Sequence, residues 1–154
     1  WDAGYYTLRL DLTDGGTPVW QEVVAVRIIE GETSVGSYTL SASEINVVTE
    51  TGALEVNIGA DLQNPYTITL TGQQAQITTA DDMTVTATLD PVGTPDSYEW
   101  YLNGALQGSV TGSEITIGPS GVAVSEGTAY RLSLLVTDGV TISSEATSFE
   151  VLAQ

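Results

Sequence analysis

The chain has 154 residues, of which 20 are acidic and 3 are basic, and it contains neither histidine nor cysteine. The basic residues are all arginines (Arg9, Arg27 and Arg131), so lysine is absent as well. These absences exclude a Ser-His-Asp triad, a Cys-His pair, a Cys/His zinc site and a lysine Schiff base. An enzyme built from this chain would have to rely on carboxylates, and a carboxylate-pair hydrolase is the enzyme alternative, but nothing in the sequence isolates such a pair among the 20 acidic residues. We predict no catalytic residues, no cofactor-binding residues and no enzymatic activity.

The net charge of −17 argues against nucleic acid as a partner, because such binding depends on Lys and Arg releasing counterions from phosphates. Hydrophobic residues make up 42% of the chain and charged residues 15%, which is typical of a folded protein. No apolar run reaches the roughly 18 residues that a membrane-spanning helix needs. We expect no insertion into a membrane.

The first predicted element is a β-hairpin. Apolar and polar residues alternate over residues 6–12, as in a strand with one buried face, and glycines at residues 15–16 turn the chain. Residues 19–29 return as a second strand. Its phase is ambiguous because residues 23–26 are all apolar. A β-bulge or burial on both faces would explain this run.

The remaining elements are also predicted strands. Residues 37–40 and 54–60 are short strand candidates, and the polar stretch 43–52 predicts a linker. Alternation is sharper further on, and Asn103-Gly104 predicts a type I′ turn between two strands. The strands predicted in this part are residues 66–71, 83–89, 98–102, 114–117, 130–136 and 142–152.

Two segments of the chain match each other without a gap. Residues 6–15 and 130–139 both follow the pattern Tyr-x-Leu-x-Leu-x-(Leu/Val)-Thr-Asp-Gly, and each is followed by a predicted return strand. Such self-similarity predicts tandem modules. The alternative is that two unrelated hairpins share strand alternation and a turn.

Residues 98–104 and 130–139 carry a family resemblance. The segment Tyr98 to Gly104, followed by the Tyr-initiated strand and its Thr-Asp-Gly turn, resembles strand C and the F–G hairpin of bacterial Ig-like domains, including the PKD-like ones. The PKD signature itself is replaced here by Trp-Tyr-Leu-Asn-Gly, so the broader Ig-like group is the better match. The resemblance implies an all-β fold, an Ig-like antiparallel β-sandwich over residues 53–154, with Trp100 in its core.

Residues 1–52 then form a partial β domain, in which residues 1–30 resemble the F–G hairpin of a preceding copy. We expect the chain to be a piece of a longer protein. The apolar face of the hairpin must be buried on the second domain, on residues 31–50, or on another copy of the chain, because an isolated hairpin is marginal in water. We expect a homo-oligomer or a strand swap through this hairpin.

A calcium site is the one metal site that this acidic chain could form. In an Ig-like sandwich, Asp90, Asp96 and Asp138 would lie at the same end, and the pair Asp81 and Asp82 at the other. The alternative is that these side chains only stabilise turns. We name Asp90, Asp96 and Asp138 as the candidate metal ligands.

The resemblance implies a non-catalytic, extracytoplasmic module of a bacterial cell-surface or periplasmic protein, or of a lipoprotein. It would act as a spacer or as an adhesion and protein-interaction unit, with a protein or glycan partner that the sequence does not name. The alternative is a carbohydrate-binding module, which would need coplanar exposed aromatic side chains. Tyr101 is predicted to point outward, whereas Trp100 belongs to the core.

Overall fold

A computed structural model describes residues 2–14, 16–29, 36–39, 55–58 and 66–153 of the chain. In these ranges the protein is all-β, and none of the described residues forms a helix that could cross a membrane. The described strands are β1 (Gly4–Asp14), β2 (Thr17–Ile28), β3 (Gly36–Thr39), β4 (Glu55–Ile58), β5 (Thr67–Thr71), β6 (Gln76–Thr78), β7 (Met83–Asp90), β8 (Ser97–Leu102), β9 (Ala105–Leu106), β10 (Glu114–Ile117), β11 (Thr128–Asp138) and β12 (Thr141–Leu152).

The described strands form four sheets. Strands β10, β7 and β5 make a three-stranded antiparallel sheet, and β6, β12, β11, β8 and β9 make a five-stranded sheet in that order. Every pair of neighbours in the second sheet is antiparallel except β6 and β12, which run parallel. The N-terminal hairpin, β1 with β2, and the pair β3 with β4 are separate two-stranded sheets.

One hydrophobic core is shared by the three-stranded and five-stranded sheets. The alternation predicted for β5 and β7 is confirmed, because Ile68, Val85 and their apolar neighbours are buried while the threonines between them point away from the core. From the other sheet Trp100 enters the core with no exposed surface, as predicted. The two sheets therefore enclose the core between them.

The turn between β8 and β9 has the geometry that its sequence predicts. Asn103 and Gly104 have φ values of 48° and 71°, the left-handed conformation that a type I′ turn requires at both central positions. Leu102 pairs with Ala105 across this turn. Local chemistry alone therefore specifies the connection.

The N-terminal hairpin and the hairpin β11–β12 have the same dimensions. In each, a strand of 11 residues is followed by one of 12, and Asp14 pairs with Thr17 as Asp138 pairs with Thr141. The registers differ by one bulge, because Leu12 pairs with Trp20 and Thr13 with Pro18, which leaves residue 19 as an extra residue in β2. The apolar run 23–26 pairs with β1 in regular register, so the bulge does not explain it; burial on both faces does, because Val23 and Ala25 are buried and Val24 and Val26 are partly buried.

Strand β6 was not predicted, β9 is the return strand of the predicted Asn103-Gly104 hairpin without predicted bounds, and part of the prediction falls outside the described residues. Strands β6 and β9 have three and two residues, too few to show an alternation. The predicted linker 43–52 and the predicted domain boundary after residue 52 lie outside the described residues. Strands β3 and β4, on either side of that boundary, pair with each other.

Candidate functional site at the hairpin interface

The N-terminal hairpin covers the outer face of the five-stranded sheet. Alternate residues of β11 point into the core, so Ser133 and Leu135 point away from it, yet these two residues are only 1% and 2% exposed. Strand β2 lies against β11 and β12 and contributes the covering residues. The buried apolar side chains of β2 are Val19, Trp20, Val23 and Ala25.

We call the covered region the acceptor surface: Arg131, Ser133 and Leu135 of β11, Ser144 and Ser148 of β12, and the turn Asn103-Gly104. The sequence left open where the hairpin is buried, and the structure places β2 on this surface. The apolar residues of β1 at positions 6–12 are less covered, because each of them is only partly buried.

A buried ion pair lies at the centre of this interface. The Arg131 guanidinium donates through Nε and Nη2 to the two carboxylate oxygens of Glu22, each over 3.2 Å, and through Nη1 to Ser148 Oγ over 3.0 Å. The side chains of Glu22 and Arg131 are 3% and 13% exposed. A two-pronged contact of this kind fixes the orientation of both groups, and burial makes either charge costly without the other.

The β8–β9 turn forms hydrogen bonds with the backbone of the same arginine. Asn103 Oδ1 accepts a hydrogen bond from the backbone N–H of Arg131 over 2.7 Å, and the Asn103 N–H donates to the Arg131 carbonyl over 2.8 Å. The Gly104 carbonyl accepts from Arg9 Nη1 over 3.1 Å. A Cβ atom at residue 104 would come within 3.1 Å of Gln21 Cβ, so the glycine also allows close approach of the hairpin.

Two serines of the interface differ in their hydrogen bonding. Ser144 Oγ accepts a hydrogen bond from the backbone N–H of Ala25 over 3.0 Å, which ties β2 to β12. Ser133 Oγ is buried and has no hydrogen-bond partner among the described residues. An unsatisfied buried hydroxyl lowers stability, so this position is a weak point of the interface.

The three candidate metal ligands lie at the ends of strands: Asp90 and Asp138 end β7 and β11, and Asp96 directly precedes β8. Asp138 accepts a hydrogen bond from Tyr66 Oη, and this bond raises the pKa of the tyrosine. Asp96 Oδ2 accepts from the Gly139 N–H over 2.8 Å, while Asp90 pairs with Thr67 at the start of β5. Among the described residues, no group of three or more Asp or Glu side chains is arranged to hold a metal ion.

The aspartate pair at residues 81–82 also serves turns. Asp81 Oδ2 accepts from both the N–H and the hydroxyl of Thr78, and Asp82 Oδ1 accepts from the Ser120 N–H over 2.9 Å. These hydrogen bonds favour the ionised carboxylates and lower the pKa of each.

Every Trp, Tyr and Phe whose side chain is described is buried or partly buried. Trp100 Nε1 donates to the Gly112 carbonyl over 2.9 Å inside the core. Tyr101 pairs with Ser133 beside the acceptor surface and donates to Glu99, and burial, together with this carboxylate, raises its pKa to about 12.

Sequence reasoning missed Glu22 and Arg131 as interface residues. The available signal was one acidic residue in β2 and one basic residue in β11: Glu22 is followed by four apolar residues, and Arg131 lies between Tyr130 and Leu132. Ionisable residues are seldom fully buried unless they are paired, so two opposite charges in such strands indicate a pair. No protein-family model matches the chain, and no curated protein matches its sequence.

Proposed function

We propose that the chain is a non-catalytic Ig-like module of a bacterial extracytoplasmic protein, on the cell surface or in the periplasm, and that it acts as a rigid spacer. The observation that carries this proposal is the buried Glu22–Arg131 pair, which fixes a hairpin of one β unit on the sheet of the next. A joint of this kind keeps successive modules at a constant angle.

The Ig-like assignment is supported by strand order. In chain order β5, β7 and β10 fall in one sheet, while β6, β8, β9, β11 and β12 fall in the other, which fits strands A, B and E against A′, C, C′, F and G of an Ig-like sandwich. The buried Trp100 occupies the position of the strand C tryptophan.

A second feature supports the same assignment. Tyr130, near the start of β11, accepts a hydrogen bond at its hydroxyl from the backbone N–H of Ser125 over 2.9 Å. In Ig-like domains a tyrosine at the start of strand F bonds back to the backbone a few residues upstream, at the same corner. Tyr130 also stacks on Phe149, with ring centroids 5.3 Å apart.

The spacer role is supported by the amino-acid composition of the module. The sequence contains no His, Cys or Lys, three side chains that enzymes commonly use as nucleophiles or bases at neutral pH, and the acidic excess keeps a sparsely charged surface soluble. No observation on the described aromatic residues favours a carbohydrate-binding module. The repeated hairpin dimensions fit a protein built from successive copies of one module.

Distance measurement between spin labels tests the rigid joint. The chain has no cysteine, so Thr13→Cys in β1 and Thr69→Cys in β5, both at exposed positions, provide two unique attachment sites. We expect a single narrow distance distribution. It should broaden in Glu22→Leu, while the control Glu114→Gln, which alters an exposed carboxylate of β10 away from the acceptor surface, should keep it narrow. A broad distribution in the protein with an unaltered interface would refute the spacer proposal.

A further inference from the structure

We propose that the acceptor surface also binds the N-terminal hairpin of a second copy of this chain, so that neighbouring copies are joined by reciprocal exchange of hairpins. This goes beyond the spacer role, which concerns only the hairpin of the same chain. The partner is identified by its chemistry: a two-stranded hairpin with a buried carboxylate at the position of Glu22.

The first supporting observation is that the docked hairpin is not part of the sheet it covers. Strands β1 and β2 pair only with each other among the described strands, and the contacts to the acceptor surface use the Glu22 and Arg9 side chains and the Ala25 N–H. Exchange therefore breaks no ladder of backbone hydrogen bonds in the five-stranded sheet. A two-stranded hairpin is marginal by itself, so it needs an acceptor surface in order to persist.

The second observation is that the acceptor surface requires this occupant. Without a hairpin, the apolar Leu135 would be exposed and the Arg131 guanidinium would lose the counter-charge of Glu22. Arg131 is one of only three basic residues in a chain of net charge −17. Copies of the chain repel each other in general, and the acceptor surface is a place where the hairpin of one copy complements the charge of another.

The third observation is the length of the connection. Because Gly36 pairs with Ile58, the chain from Ile28 to Tyr66 contains two stretches of about eight residue steps on either side of β3–β4. At about 3.3 Å per residue the length of these stretches sets an upper limit of about 50 Å on the separation that the chain itself allows between the hairpin and its own sandwich. The same contacts form within one chain and between two chains. Whether a hairpin docks on its own chain or on a neighbour therefore depends on the protein concentration relative to the effective concentration of the tethered hairpin, which is in about the millimolar range.

Charge reversal tests the exchange directly. Glu22→Arg and Arg131→Glu each place like charges at the interface of their own chain. In an exchanged heterodimer of the two variants both interfaces are complementary. One interface joins the introduced arginine of the first variant to the introduced glutamate of the second, and the other joins the native Glu22 of the second variant to the native Arg131 of the first.

We expect each variant alone to be a monomer and an equimolar mixture, refolded together, to contain a heterodimer by native mass spectrometry. The control with both changes in one chain restores a complementary pair both within a chain and between chains, so it should show the same oligomeric state as the unaltered protein. A mixture that stays monomeric, although circular dichroism shows both variants folded, would overturn the proposal.

A crosslink in the otherwise unchanged protein decides the question even if a charge-reversed variant does not fold. Ala25→Cys on one chain and Ser144→Cys on another come together only when β2 of the first lies on β12 of the second, because the Ala25 N–H bonds to Ser144 Oγ.

The two proteins are refolded together at about millimolar concentration and then oxidised. We expect about tenfold more disulfide-linked heterodimer than with the control partner Thr84→Cys, whose residue is exposed on the three-stranded sheet. Equal yields with the two partners would refute the exchange.

Discussion

Replacing Glu22 by leucine leaves the Arg131 guanidinium in the interface without the carboxylate that balances its charge. The pair is nearly closed to solvent, with side-chain exposures of 3% and 13%, and both N–O contacts are 3.2 Å long. Removing one partner of a buried pair costs about 3–5 kcal/mol, because the other charge remains desolvated. We expect Glu22→Leu to reduce the free energy of hairpin opening by an amount in this range.

The companion variants separate charge pairing from packing. Arg131→Met should lower the same free energy through the unpaired carboxylate, whereas the double variant Glu22→Leu/Arg131→Met should recover most of the loss, since apolar groups of similar volume replace a buried pair at little cost. We therefore expect a coupling energy of about 5 kcal/mol or more between the two positions, because each single variant leaves one buried charge unpaired and the double variant leaves none. The exposed pair Arg9–Asp11, 51% and 41% exposed, is the control and should show no measurable coupling.

Amide hydrogen exchange gives the required free energies locally. Exchange of the Val23 and Ala25 amides in β2 reports opening of the hairpin, and exchange of the Val136 amide in β11 reports opening of the shared core. The single variants should lower protection in β2 and leave β11 much less affected. Effects of the two single variants that add within about 0.5 kcal/mol would refute the reasoning, because the pair would then contribute nothing as a pair.

Two further outcomes are expected. Ser133→Ala should stabilise the protein by about 1 kcal/mol, because it removes a buried hydroxyl that has no hydrogen-bond partner. Ser143→Ala should destabilise the protein by about 1–3 kcal/mol, because Ser143 Oγ is buried and accepts a hydrogen bond from the Tyr66 N–H. Urea denaturation of both variants measures the two changes in stability, and changes of the same sign would contradict the assignment. Hydrogen bonds from Thr78 lower the pKa of the Asp81 carboxyl below its ordinary 3.8. The stability that this carboxylate contributes is therefore present above pH 3.8 and is lost as the pH falls through the pKa of the folded state. Asp81→Ala should be less stable than the unaltered protein near neutral pH and similar to it in strong acid, and a difference in stability that persists in acid would refute this cause.

The sequence by itself determined the fold class and the local elements of this protein. Alternation of apolar residues with threonine predicted β5 and β7, because side chains on successive residues of a strand point to opposite faces. The dipeptide Asn103-Gly104 indicated the type I′ turn between β8 and β9, because few other residue pairs adopt left-handed conformations at both central positions. Such features depend on neighbours in the chain and are readable without knowing the rest of the structure.

Only the tertiary structure decided which segment covers the outer face of the five-stranded sheet. Glu22 and Arg131 are 109 residues apart, and nothing local to either one specifies the other. Alternation along β11 does not account for an apolar residue at Leu135, and its burial is explained by β2, which covers that face. Two of the aspartates predicted as metal ligands accept hydrogen bonds from distant residues, Asp138 from Tyr66 and Asp96 from the Gly139 N–H. A side chain's role in a β-protein depends on which sheet lies against it, and that contact is set by packing of distant segments rather than by the pattern along the strand.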